Sequence, residues 1–304
     1  MTATVPPAVP AAVASPDLSR SGLALRRRIT NRIAMLAITL GLVLAFIPLV
    51  LVTWEVIAKG LHVVSWKFLT QDIPFSYRRQ GPGMGPAIIG TFIITGMAAL
   101  LAIPLGVFGA IYLNEYGKQK PLARAIRTIA DVMTGVPSIV MGLFIYTGFV
   151  VVVGAKTGFA GALALACLML PIVIRSSEEM LRLVPDELRQ ASLALGARQS
   201  RTILAVVLPA ALSGIASGAL LAVARAAGET APIIATVGIT FAVNGSLFDG
   251  QNTALPAQIF RNASQPFAGA QGRAWGAALT LVAIVLVFTI LARVIVSRFA
   301  IRER

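Results

Sequence analysis

The chain has 304 residues, 57% of them hydrophobic and 12% charged, a composition that excludes an ordinary soluble domain. Its net charge of +14 would suggest a nucleic-acid partner in a soluble protein. In a membrane protein, however, Lys and Arg residues are concentrated in the loops on one side of the membrane. One cysteine excludes a disulfide framework, and the single histidine, His62, has no ligand pattern around it. We therefore expect an all-α integral membrane protein that binds no nucleic acid and no metal.

The apolar runs of the chain predict six transmembrane helices. Residues 1–25 are rich in alanine, proline and valine, and we expect a disordered cytoplasmic tail there, followed by a membrane domain over 26–304. The first apolar run is longer than the roughly 15 residues of a signal-peptide core, so we expect it to be retained. The predicted spans are 33–57, 86–113, 129–153, 159–174, a fifth that starts near Thr202 and is split by Pro232, and 274–296.

Six helices place both termini on one side of the membrane, and the charges identify that side. The termini, the loop 114–127 and the segment 175–201 carry 18 Lys and Arg residues, whereas the three opposite loops carry seven. Because Lys and Arg accumulate in cytoplasmic loops, we expect both termini and the segment 175–201 in the cytoplasm.

The cytoplasmic segment 185–197 predicts a short helix outside the membrane. Asp186 and Glu187 follow Pro185 in its first turn, where carboxylates interact favourably with the helix dipole. The next residues offer a small apolar face, and we expect Gly196 to end the helix and turn the chain. Such a helix suits the docking of a soluble partner, although an ordinary solvated loop helix has the same charge pattern.

A charged pair lies within the apolar fifth helix. Arg225 and Glu229 are four residues apart and share a face with Gly214, Gly218 and Ala222, small residues that we expect to pack against another helix. An arginine within the membrane costs about 2.5–3.5 kcal/mol and is therefore usually paired or functional. Two interpretations stay open: a salt bridge that only fixes packing, or an anion path. A guanidinium suits phosphate oxygens, and a carboxylate accepts a hydrogen bond from a P–OH group.

The segment before the fifth helix resembles the EAA signature of ABC importer permeases. Gln190-Ala191-Ser192 matches its Glu-Ala-Ala with two substitutions, Gly196 matches its glycine, and Leu208-Pro209 matches its Leu-Pro without a gap. We expect the contacts with an ATPase subunit to be made by Asp186, Glu187, Gln190, Ala191, Ser192 and Gly196.

Five further segments are similar to phosphate ABC importer permeases of the A type. In that family, the arginine at the end of the fourth span and the arginine before Gly-Glu are transport residues. By position these are Arg175 and Arg225, and Glu229 is the acidic neighbour of Arg225. The similar segments are 83–91, 135–140, 170–175, 224–232 and 246–249.

The resemblance implies the six-helix architecture of a type I ABC importer permease in the bacterial inner membrane. It also implies several partners: a homologous second permease subunit of the C type, a nucleotide-binding ATPase dimer, an extracytoplasmic phosphate-binding protein and membrane lipid. ATP and Mg²⁺ would be held by the ATPase. The chain itself has no G-x-x-x-x-G-K-[ST] sequence, so we expect no ATP site, no other cofactor and no enzymatic activity in this subunit.

Three alternatives are weighed against this interpretation. A permease for another oxyanion, such as molybdate or sulfate, would share most of these features. A self-sufficient secondary transporter should show internal repeats and needs no docking helix, but the sequence has the predicted helix and no clear repeat. A membrane enzyme should show a nucleophile or metal constellation, and the sequence has neither.

Overall fold

The computed structural model describes residues 22–78, 81, 83–117 and 119–299, and every regular element in these ranges is a helix. This confirms the all-α prediction. The chain divides into one compact unit that ends at Trp54 and a second that begins at Glu55. Most of the expected tail lies outside the described residues, but the first helix begins at Gly22, so positions 22–25 are helical and not disordered.

The helices are numbered in chain order, and three short π-helical segments join some of them. The α-helices are α1 Gly22–Leu61, α2 Trp66–Thr70, α3 Gly85–Ile111, α4 Pro121–Gly135, α5 Ser138–Ile145, α6 Val151–Val153, α7 Gly158–Arg182, α8 Asp186–Ala194, α9 Gln199–Thr202, α10 Leu208–Ala227, α11 Ala231–Thr236, α12 Leu255–Ala263 and α13 Ala268–Phe299. The π-helical segments are Tyr112–Gly117, Tyr146–Val150 and Ile203–Val207.

Five of the described helical stretches are long and apolar enough to cross a membrane: α1, α3, α7, the stretch from α9 to α10, and α13. The third predicted span is bent, because α4 and the helix that begins at Ser138 meet at 109°. Pro137 causes this break, since it has no amide hydrogen and restricts Val136 to an extended conformation. Six spans are obtained when the bent pair counts as one. The predicted span 129–153 covers the second half of α4 and the helix after the break, and α4 itself begins earlier, at Pro121.

Helices α3, α7 and α10 pack through small side chains within the second unit. A β-carbon on Gly106 of α3 would overlap Val173 of α7, so the two backbones approach closely. Alanines from all three helices surround the fully buried Ile94 and Met169. Because lipid is as apolar as these side chains, close van der Waals packing stabilises such contacts.

Helix α7 continues well beyond its predicted end at Ile174. Its helical hydrogen bonds run on to Arg182 after the sequence has become polar. Arg175, Glu178 and Arg182 are spaced so that they share one face of this extension. The apolar part of α7 therefore ends within a continuous helix. Positions along α7 can thus be used to measure how deep a neighbouring residue lies in the apolar region.

The fifth predicted span is interrupted between α10 and α11. The amide of Gly228 donates to the carbonyl of Arg225, and α11 restarts the helix just before Pro232, close to the predicted split. A segment without regular secondary structure, 237–254, then leads to α12. Asn252 anchors it, because its Oδ1 accepts a hydrogen bond from the amide of Gly158 at the start of α7.

Candidate functional site

The Arg225–Glu229 pair lies where α10 ends. Arg225 is in the last turn of α10, and Glu229 follows in the break before α11. Nε of Arg225 lies 3.6 Å from Oε1 of Glu229, which is an ion pair but too long for a hydrogen bond. The side chain of Arg225 is 69% exposed and that of Glu229 is 21% exposed. The structure thus brings the two predicted charges together and leaves most of the Arg225 side chain open.

The depth of this pair follows from the contact between α7 and α10. The small-residue face of α10 rests on α7, since β-carbons on Gly214 and Gly218 would overlap Met180 and Ser176 respectively. A step of four residues forward along α10 is therefore a step of four residues backward along α7, and the helices are antiparallel. By this register, Arg225 is level with position 169 of α7.

Position 169 lies near the middle of the apolar part of α7, which runs from Gly158 to Ile174. Ala222 and Ala226 flank Arg225 in sequence, and both belong to the same buried cluster as Met169. The charged pair is therefore at mid-depth of the apolar region, where an arginine exposed to lipid would cost about 2.5–3.5 kcal/mol.

Arg175 belongs to a second charged cluster. By the same register it lies about six residues, or roughly 9 Å, from Arg225 along the helix axis. Its guanidinium forms an ion pair with Asp131 of α4, and its Nη1 lies 3.5 Å from Oε2 of Glu178. The structure therefore places Arg175 at the polar end of α7, apart from the Arg225–Glu229 pair.

Glu178 is the centre of this second cluster. Its side chain is 1% exposed, and its Oε1 accepts hydrogen bonds from Nε of Arg127 at 2.7 Å and from Nη2 of Arg182 at 2.6 Å. Arg127 also donates from Nη2 to the carbonyl of Leu113 at 2.8 Å. The buried carboxylate thus connects α4 with α7, and Arg127 also connects α4 to the first π-helical segment. Loss of the carboxylate charge removes an ion pair from both Arg127 and Arg182.

Arg189 attaches α8 to the rest of the molecule. Its Nη2 lies 2.9 Å from Oε1 of Glu115 in the first π-helical segment, and both side chains are largely buried. The same guanidinium donates to the carbonyls of Leu181 and Val184 at 2.8 and 2.6 Å, and to Oδ1 of Asp186 at 3.1 Å. These bonds fix the start of α8 against the polar ends of α3 and α7.

Gly196 ends α8 in a Schellman motif. Its amide donates to the carbonyl of Leu193, and the amide of Ala197 donates to the carbonyl of Ser192. Gly196 has φ +84°, in the left-handed region that a side chain disfavours. The expected helix end and turn at this glycine are present.

The other predicted coupling residues lie on or near the surface of α8. Glu187, Gln190 and Ala191 are exposed, whereas Ser192 is half-buried with its Oγ 2.9 Å from Oγ1 of Thr202. Large apolar side chains nearby are exposed as well: Leu183, Leu188, Leu193 and Leu195. This surface combines charge with unpacked leucine, as expected for a docking site, and the docking role stays a prediction.

Sequence reasoning missed the residues that hold these sites in place. Glu178 had a local signal, because Arg175 and Arg182 lie three and four residues away on the same face. Arg127 and Glu115 had none, since their partners are 51 and 74 positions distant. Within the described ranges, no group of His, Cys, Asp and Glu side chains is arranged to hold a metal ion.

Comparison with known proteins identifies the family. Residues 102–301 match the family described as the binding-protein-dependent transport system inner membrane component. The chain belongs to this family. The phosphate transport system permease protein PstA 1 of Mycobacterium tuberculosis is 42% identical over 281 residues, which cover 90% of each chain. PstA of Yersinia pestis is 40% identical over 276 residues, covering 90% of this chain and 92% of that protein.

Solved structures of the permease family share the fold. A chain of a bacterial alginate ABC transporter has a TM-score of 0.64 at 14% identity, covering 90% of this chain and 97% of that one. A chain of the MetNI methionine ABC transporter in an inward-facing conformation has a TM-score of 0.56 at 21% identity, covering 71% and 93%. These similarities confirm the type I ABC importer permease architecture of a multi-pass membrane protein.

Proposed function

We propose that this chain is a permease subunit of an ATP-driven importer that moves inorganic phosphate into the cytoplasm. The names of its relatives support the substrate. The observation that carries the proposal is Arg225, which is 69% exposed at mid-depth of the apolar region. At that depth its side chain must face protein or water, because contact with lipid is costly.

The Arg225–Glu229 pair has the chemistry of an oxyanion contact. The guanidinium keeps its charge and presents a planar set of donors to phosphate oxygens. Because the pair is 3.6 Å apart and not hydrogen-bonded, these donors are not committed to Glu229. Glu229 accepts a hydrogen bond from P–OH and disfavours a fully ionised anion. Arg175 attracts the ion toward the cytoplasmic end of α7, with its charge balanced by Asp131.

Three partners act with this subunit. The surface of α8 docks on a nucleotide-binding ATPase dimer, which supplies ATP and Mg²⁺. A second, homologous permease subunit completes the path beside Arg225, and an extracytoplasmic phosphate-binding protein delivers the ion. The exposed leucines around α8 support the first of these contacts, because solvated leucines in a cluster mark an interaction surface.

Removing the charges of both Arg225 and Glu229 tests the ion path separately from folding. Arg225→Gln alone leaves Glu229 without its partner, so loss of uptake in that variant has two explanations. The double variant Arg225→Gln/Glu229→Gln removes both charges and keeps a polar side chain at each position. We expect the double variant to assemble with its partners at near wild-type yield, and phosphate uptake to fall at least tenfold. Near-normal uptake in the assembled double variant would show that the pair only fixes packing.

The orientation is a separate prediction. With both termini in the cytoplasm, a reporter fused after Arg201 should be active on the cytoplasmic side, and a reporter fused near Gln251 should be active outside. The expectation rests on the distribution of Lys and Arg among the loops. Reversed reporter activities would exclude the docking role of α8, because an ATPase that uses cytoplasmic ATP cannot reach an external helix.

A further inference from the structure

Helix α4 has the shape and position of a helix at a membrane surface. It has 15 residues and is therefore about 22 Å long, short of the roughly 30 Å of a bilayer core. Its axis is bent by 109° from that of the next helix, which begins at Ser138. A helix that turns by about a right angle where an apolar segment begins lies nearer the membrane plane than the membrane normal.

The contacts of α4 place it at the edge of the apolar region. Ala123 packs in a cluster with Ile174, the last apolar residue before the charged end of α7. Asp131 of α4 pairs with Arg175, the first charged residue after that boundary. The boundary between apolar and polar sequence in α7 therefore coincides with the position of α4.

Three different faces run along α4. One face is buried and contains Ala123 and Ala130. A second is polar and exposed and includes Arg124 and Thr128. The third is apolar and exposed, with positions spaced by three and four residues as on one side of a helix. It consists of Leu122, Ala125, Ile129 and Val132.

We propose that this third face rests in the bilayer leaflet on the side of the docking helix α8. The occupant is phospholipid: acyl chains contact Leu122, Ile129 and Val132, and Lys120 and Arg124 contact anionic headgroups. Amphipathic helices with basic residues beside an apolar stripe bind membrane surfaces in this way. Lys120 and Arg124, exposed at the start of α4, favour an anionic surface over a second apolar protein face. The proposal does not depend on which ion the protein transports.

Photo-crosslinking in the assembled importer tests the occupant. A photoreactive diazirine amino acid is placed at Ile129 in one variant and at Leu122 in another, so that the stripe is sampled at two positions. Thr128, exposed on the polar face one residue away, is the matched control position. Each complex is reconstituted in vesicles of equal parts phosphatidylglycerol and phosphatidylethanolamine, irradiated and analysed by mass spectrometry for lipid and protein adducts.

We expect phospholipid adducts at positions 129 and 122, at least fivefold more abundant than at position 128. Among the lipid adducts, phosphatidylglycerol should exceed phosphatidylethanolamine. Lys120→Gln/Arg124→Gln should abolish that preference while the adducts themselves remain. Adducts to a partner protein at both positions would show that another subunit covers the stripe, and equal lipid yields at 128 and 129 would show that α4 has no membrane-facing side. Either result overturns the proposal.

Discussion

Replacing Glu178 with glutamine should destabilise the protein more than any other single charge removal at the polar end of α7. Glu178 is almost fully buried and accepts hydrogen bonds from Arg127 and Arg182, with Arg175 also within ion-pair distance. Arg127 and Arg182 are 23% and 54% exposed, so water solvates them in part after the change, and the cost stays below the roughly 3–5 kcal/mol of a fully buried pair. For a protein of this size, a loss of about 2–3 kcal/mol corresponds to a fall of roughly 5–10 °C in the unfolding midpoint.

Glu179 provides a matched control for this experiment. Glu179→Gln makes the same chemical change at the adjacent position, but the side chain is exposed, so its midpoint should change by about 1 °C or less. The unfolding midpoint is measured on the detergent-solubilised protein by loss of the monodisperse peak after heating. If Glu178→Gln unfolds at the wild-type temperature, the cluster does not hold α4 on α7.

Replacing Gly196 with leucine should uncouple uptake from ATP hydrolysis. The motif that ends α8 requires φ +84° at this position, and a β-carbon there costs about 1–2 kcal/mol. The strain falls where the docking surface turns back toward α9, so the surface is distorted while the membrane helices keep their packing. We expect the complex to assemble and phosphate uptake to fall about tenfold or more, measured as transported phosphate per ATP hydrolysed.

Asparagine separates the backbone effect from the effect of a side chain. Asn tolerates the left-handed region better than other side chains, so Gly196→Asn should keep most of the uptake. In the part of the chain that the structure describes, no atom lies within 4 Å of a β-carbon built on Gly196, so a side chain there has open space within this subunit. Equal losses in both variants would therefore point to a partner surface in contact with this glycine. Normal coupling in the assembled Gly196→Leu complex would contradict the docking role.

Local patterns in the sequence were sufficient for much of the fold. Apolar length predicted the long helices, and the helix of 185–197 is present as Asp186–Ala194 because its acidic first turn and its terminal glycine are local signals. The pairing of Arg225 with Glu229 followed from a spacing of four residues. Each of these features depends on residues that are close in sequence.

Features that depend on distant residues could not be predicted. Residues 129–135 are apolar enough to read as the start of a span, but their helix is fixed by Arg127 and Asp131, whose partners lie on α7. The end of α7 was placed too early because charged residues usually leave a membrane helix, whereas here they pair with other helices. The exposure of Arg225 is likewise a result of tertiary packing.

Uptake by the reconstituted complex tests the central claim most directly. The chain is co-expressed with its second permease and ATPase subunits, placed in proteoliposomes with ATP and Mg²⁺ inside, and supplied outside with the phosphate-binding protein and radiolabelled phosphate. We predict ATP-dependent accumulation of phosphate that a tenfold excess of sulfate or molybdate does not reduce. Accumulation without ATP, or accumulation of sulfate or molybdate in place of phosphate, would contradict the proposed function.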